Sequence, residues 1–342
     1  NYVAQWNLNV QRQLSSSMTA TIGYVGSRGV HMWDQMDDSN LVFPTQTPQG
    51  LLWPCGGPVV NGVCTAPGVG TILNSFRGRT AYARWDGNSF YDALEVQINK
   101  AMSHGIQLGG SYTWGKSIDT GSSFAGSDQY RNSISGLLYF CGKCRRGLSD
   151  PNVEHDLTVN YVWDIPTPAS FGAPAKAILG GWEAGGILTV ESGSPFTVTI
   201  PGDPLGLNNT DPWQFPNRIV APGCMSDVNP GNPNQYVKIP CFSAPNPSTL
   251  FGNEGRNSLI GPGLVDFDFS LFKNIPVKRV SENFNVQFRG EFFNVLNRAN
   301  FTSPNDNSRI IDQFGNPVPF GGQITLTNTS SREIQLALKL VW

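Results

Sequence analysis

Residues 332–342 read REIQLALKLVW, and this stretch decides the fold. Ile334, Leu336, Leu338, Leu340 and Trp342 alternate with Glu333, Gln335, Ala337, Lys339 and Val341. Successive side chains of a strand point to opposite faces, so the segment is a strand with an oily side and a more polar one. The pattern recurs just upstream. Phe284, Val286, Phe288, Gly290 and Phe292 oppose Asn285, Gln287, Arg289 and Glu291, while Val265, Phe267, Phe269 and Leu271 oppose Asp266, Asp268 and Ser270. Further back, residues 182–190, 155–165, 106–114, 90–100, 18–24 and 6–12 repeat it, giving about nine strands. Their lengths approach the roughly 9 to 11 residues that cross a bilayer when a strand is tilted. Trp6, Tyr24, Tyr112, Trp114, Tyr161, Trp163 and Trp182 lie near strand ends, where aromatic girdles of a transmembrane barrel sit.

Composition agrees with an all-β reading. The 342 residues include 38 Gly and 25 Pro, with 39% hydrophobic and 14% charged residues, and no helical apolar stripe recurs at i, i+3, i+4. Lys and Arg total 23 against 25 Asp and Glu, so there is no electrostatic footprint for nucleic acid. Without an apolar run of about 18 residues a transmembrane helix is excluded, but a barrel is not, because its strands are apolar on one face only.

The connections alternate in length. Residues 15–17, 102–105, 166–181 and 274–282 are shorter links; residues 25–87, 117–151, 193–263 and 297–331 are long and irregular. Outer-membrane barrels keep short turns in the periplasm and long loops outside. The final strand then runs from outside to periplasm, and the loop before Arg332 is long, as that direction requires. Nine strands cannot close as an even-stranded barrel, so further strands are expected upstream of Asn1. Six cysteines fall as local pairs, Cys55 with Cys64, Cys141 with Cys144 and Cys224 with Cys241, all in the long loops; disulfides facing an oxidising exterior are expected.

Several segments resemble an Oar-like TonB-dependent transporter barrel. They are GRNSLIGPGLVDFDFSLFKN (255–274), FRGEFFNVLNRANF (288–301), the terminal SREIQLALKLVW, QWNLNVQRQL (5–14) with IGYVGSRGVH (22–31), YDALEVQINKAMSHGIQLGGSYTWGKSID (91–119), and GLSDPNVEHDLTVNYVWDIP (147–166) followed by GGWEAGGILTVESGSPFTV (180–198). The resemblance covers almost everything except the long loops. It implies a 22-stranded barrel, with residues 1–342 as its C-terminal part. About 13 strands, an N-terminal plug and a box engaging the energy-coupling protein TonB would then lie outside this sequence. It also implies transport of a bulky solute across the outer membrane of a Gram-negative-type bacterium, the solute being captured by extracellular loops. The expected surroundings are outer-membrane lipid, the barrel-assembly machinery and the TonB complex. A passive pore, a surface adhesin or, from another class, a soluble secreted carbohydrate-binding β-sandwich are the alternatives.

Five features bear on chemistry. The terminal Trp342, with Ile334, Leu336, Leu338 and Leu340 before it, resembles the signal that barrel-assembly machinery reads by adding a strand; an ordinary aromatic at a sheet edge is the plainer account. In CGKC, Cys141 and Cys144 suit a loop disulfide better than a redox dithiol, which would sit at a helix N-terminus, or a zinc site, which would need a second pair. Asp266 and Asp268 share a strand face about 7 Å apart. Two such carboxylates suit a glycosidase, but lining a wet lumen, paired across strands with Arg289 and near Glu291, is the expected role. His31, His104 and His155 show no ligand or triad spacing, and no phosphate loop occurs, so no enzyme, cofactor or metal site is expected. Trp33, Trp53, Phe76, Tyr82, Trp85, Trp213, Phe215 and Tyr236 in the long loops suit stacking on sugars or peptides; pinning the loops together is favoured slightly over that role.

Overall fold

The computed structural model describes every residue except 37, 79, 81, 123–140, 208–213, 278–283 and 305–307, and no side chains for 34–36 and 82–83. Nine long strands form one sheet: β1 (Tyr2–Ser15), β2 (Met18–Met36), β3 (Tyr82–Ser103), β4 (Ile106–Asp119), β5 (His155–Asp164), β6 (Trp182–Glu191), β7 (Leu264–Pro276), β8 (Asn285–Phe293) and β9 (Glu333–Val341). They lie in sequence order, each antiparallel to the next, with the short piece Gly147–Leu148 added beside β4. β1 and β9 are the two edges. Among the described residues two short α-helices occupy the links, α1 (Gly142–Arg145) between β4 and β5 and α2 (Ala173–Leu179) between β5 and β6. No helix among the described residues is long and apolar enough to cross a membrane, which says nothing of strands.

The register shows why these segments pair. One row across the sheet reads Val10, Ile22, Val96, Tyr112, Leu157, Val190 and Val265. The neighbouring row, one residue along, reads Gln11, Thr21, Gln97, Ser111, Thr158, Thr189 and Asp266. A slip of one residue in any pair would carry a whole apolar set to the polar face, so the alternation fixes every pairing. Further along, Phe269, Phe292 and Ile334 share a row, as do Leu271, Gly290 and Leu336. The apolar band therefore crosses the strands obliquely, the stagger that closing a sheet into a barrel requires.

The short links all lie at one end. Ser103 pairs with Ile106 across a two-residue hairpin in which His104 (φ 55°) and Gly105 (φ 76°) both take positive φ, the arrangement that matches strand twist. Lys273 lies on the apolar face, opposite Trp182 and Phe288, yet it is buried. The C-terminus of α2 answers its charge: the ammonium donates to the carbonyls of Ile178, at 3.1 Å, and Gly180, and it lies 5.4 Å from the centre of the Trp182 ring.

Two readings from sequence are corrected. β2 and β3 run on to Met36 and back from Tyr82, where the sequence pattern predicts strand ends at Tyr24 and Phe90. The ladder continues past the oily band because backbone pairing needs no apolar face, and it bends where the register shifts around His31 (φ 55°). The long links are also not irregular throughout. They fold into a cap with two apolar cores. One joins Phe196, Val198, Ile200, Tyr236, Phe242, Leu259 and Ile310; the other joins Leu41, Trp53, Leu205, Leu207, Phe215 and Phe251. Each fully buried large side chain there adds about 1.5–3 kcal/mol.

Candidate functional site

Two surfaces are candidates, the polar face of the sheet and the cap above it. On the polar face, Thr, Ser, Asn and Gln predominate, with Glu95, Asp156, Glu191, Asp266, Asp268 and Glu291 set against Arg289 and Lys339. Such a wall offers hydrogen-bond donors and acceptors and carries an acidic bias. Asp266, Asp268, Arg289 and Glu291 all lie on this face, Glu291 opposite Ser270 and Arg289 opposite Phe272. The expected pairing of the aspartates with Arg289 does not form. Arg289 sits four residues further along the ladder than Asp268, on the order of 13 Å at strand spacing. It instead donates to Gln287 at 2.6 Å and stacks on Phe272 at 5.2 Å. Asp268 accepts from the Asn294 backbone N–H at 2.9 Å.

On β9, Ile334, Leu336, Leu338 and Leu340 lie exposed on the apolar side of an edge strand, and Trp342, 86% exposed, follows the last paired residue. This is the geometry of a strand whose outer edge is open for pairing.

The cap is tied by disulfides Cys55–Cys64, Cys141–Cys144 and Cys224–Cys241. Cys141 caps α1, with its sulfur accepting from the Cys144 N–H, so a helical turn stands where the sequence reading places none. The loop aromatics divide. Trp53, Phe215 and Tyr236 are buried in the cores, whereas Phe76 is 99% exposed; Trp33 and Trp85, also exposed, stand not in a loop but on the extended ends of β2 and β3. Trp213 and the Tyr82 side chain lie outside the described residues. The Tyr236 hydroxyl donates to the Ile260 carbonyl at 2.8 Å, and burial pushes its pKa up to about 12. Burial likewise raises the Glu254 carboxyl.

Arg256 is the residue that sequence reading missed. Its guanidinium is fully buried, where it pairs with the Asp119 carboxylate and donates to the carbonyls of Asp119 (2.8 Å) and Arg145 (3.1 Å) and to Ser122 Oγ (3.1 Å). It pins the 192–263 loop to the top of β4. Its partners are scattered through the sequence, so no spacing announces them.

Closing a loop with a sequence separation of 17, the Cys224–Cys241 bridge is expected to stabilise the cap by about 3 kcal/mol. Cys224→Ser with Cys241→Ser should raise hydrogen exchange across residues 222–242 while leaving β5 to β9 protected. Unchanged exchange there would show that the cores hold the loop without the bridge.

A family model described as an outer membrane beta barrel domain matches residues 1–335. The chain belongs to this outer-membrane β-barrel family. It is accordingly a protein of the bacterial outer membrane, all-β and antiparallel in its sheet. No curated protein matches the chain. Among solved structures, the outer membrane transporter YddB from Escherichia coli aligns with TM-score 0.45 at 9% identity, over 99% of this chain and 32% of that one. The chain thus spans about a third of that transporter's length.

Proposed function

We propose that residues 1–342 form the C-terminal part of a TonB-dependent transporter barrel of 22 strands, whose remaining strands and plug belong to the same protein. The apolar face meets lipid, the polar face lines the lumen, the short links are periplasmic and the cap is extracellular. The observation that carries this reading is the open nine-strand meander, whose register keeps an apolar band on one face and a hydrogen-bonding wall on the other. Two unpaired edges in hydrocarbon cost several kcal/mol for each unsatisfied backbone group, which supports a barrel in which further strands pair with β1 and β9. The last strand, with Trp342, would be the edge that the barrel-assembly machinery pairs. The protein moves its solute without transforming it, needing no cofactor and no catalytic residue.

The test is uptake by cells making the full-length protein. Uptake of a bulky solute should fall at least tenfold when TonB or the plug is removed. Passage that persists without TonB would make this a passive pore, and surface binding without passage an adhesin; either result overturns energised transport. A soluble β-sandwich is at odds with the family match over residues 1–335.

A further inference from the structure

We infer that the cap carries a binding site for an uncharged oligosaccharide, in a cavity of about 790 Å³ between the β6–β7 and β8–β9 loops. The inference rests on the extracellular placement of the cap proposed above. The size lies in the range of small-molecule sites. Val237, Ile311, Cys241 and Phe242 are buried at the cavity wall, so its base is continuous with one of the two cores and already formed.

Phe320 is the first clue. It lines the cavity, is 67% exposed and has φ 60°, a conformation costly for any residue with a Cβ and rare for a bulky one. Backbone bonds hold it there. Its carbonyl accepts from the Gln323 N–H, the Gly321 N–H donates to Val318, and the Val237 N–H donates to the Gly322 carbonyl. A glycine would relax this turn, so what the phenylalanine adds is an aromatic face at the cavity.

The polar lining sets the ligand class. Asn229, Asn234 and Gln235 line the cavity, and their carboxamides make no side-chain hydrogen bond among the described residues. Each offers two N–H donors beside a carbonyl acceptor, the complement of neighbouring hydroxyls that both donate and accept. Among the described residues no carboxylate lines the cavity, and the one ammonium there, Lys238, donates to the Gly223 carbonyl at 3.3 Å. A cation would find no counter-charge and an anion a single committed one. Pro222, Pro240 and Pro317 in the lining lack the N–H groups with which an extended peptide would be paired. A sugar satisfies both requirements, with C–H faces for the phenyl ring and hydroxyls for the amides.

The experiment is calorimetric titration of the full-length protein in detergent micelles with neutral tri- to hexasaccharides of glucose, xylose and mannose, an oligogalacturonate and a proline-rich peptide. A neutral saccharide should bind with little salt dependence. Phe320→Gly should weaken that binding at least tenfold while slowing hydrogen exchange of residues 316–324, since it removes both the ring and the left-handed strain. Asn234→Ala with Gln235→Ala should weaken it by a similar factor, and Phe76→Ala, another exposed aromatic, should leave it unchanged. Binding of only the acidic sugar or the peptide, of no saccharide at all, or undiminished binding by Phe320→Gly would each overturn the site. Binding in micelles without TonB-dependent uptake in cells would sink the transport proposal and spare this one.

Discussion

Leu188→Arg is expected to destabilise the folded protein by about 2–4 kcal/mol, whereas Thr189→Arg, one residue along β6, should change stability by less than about 1 kcal/mol. Leu188 stands between Val159 of β5 and Phe267 of β7, well inside the apolar band. In the proposed orientation this face is bathed in lipid, where a guanidinium near the bilayer midplane loses its water and finds no partner. Thr189 stands between Thr158 and Asp266 on the other face. An arginine there stays hydrated in the lumen and gains a neighbouring carboxylate. Size and helix or strand propensity are the same for both introduced residues, so the difference isolates the face. Equilibrium unfolding of the full-length protein in lipid vesicles, followed by denaturant and by loss of heat-modifiable migration on gels, measures both. Equal losses would mean that the face bearing Leu188 does not meet lipid, and the inside–outside assignment would fail for the whole sheet, because the register ties every strand to this one.

That dependence also accounts for what was legible in the sequence. A period of two needs only a short window to be read, and the nine strands announce themselves independently, so the antiparallel sheet and the alternation of link lengths follow from the chain alone. Residues 25–36 and 82–89 carry no such cue, because beyond the oily band the ladder persists with apolar and polar residues mixed and no regular alternation. Lys273 breaks the apolar alternation at the end of β7, and only the fold shows that α2, some 95 residues away in sequence, covers it. The loop cores were invisible for the same reason. Val198 packs with Ile310, and Trp53 with Phe251, across separations that leave no periodic trace. The loop aromatics divide because burial, which decides between pinning and display, belongs to the assembled cap: Trp53 and Phe215 pin, while Phe76 is displayed.

The second large effect is expected at Arg256, where Arg256→Ala should destabilise the cap by about 3–5 kcal/mol, the cost typical of leaving one partner of a buried ion pair alone. Asp119, with its side chain only 11% exposed, would lose the guanidinium it pairs with, and the carbonyl of Arg145 and the Ser122 hydroxyl would each lose a partner. Arg256→Lys should recover only part of the loss, since one ammonium on a flexible stem cannot donate along the several directions the planar guanidinium serves. Asn257 beside it, held with φ 53°, donates to the Leu148 carbonyl at 2.8 Å and to Asp150 at 2.6 Å. The two residues together fasten the 192–263 loop to the β4–β5 link, and removing the first should free the loop as a unit without melting the sheet, whose pairing is carried by its own rows. Hydrogen exchange separates the two outcomes. Residues 145–150 and 192–263 should lose protection in Arg256→Ala while β5 to β9 keep theirs; a uniform loss would show that the cap and the sheet unfold together, and no loss would show that the apolar cores alone hold the loop in place.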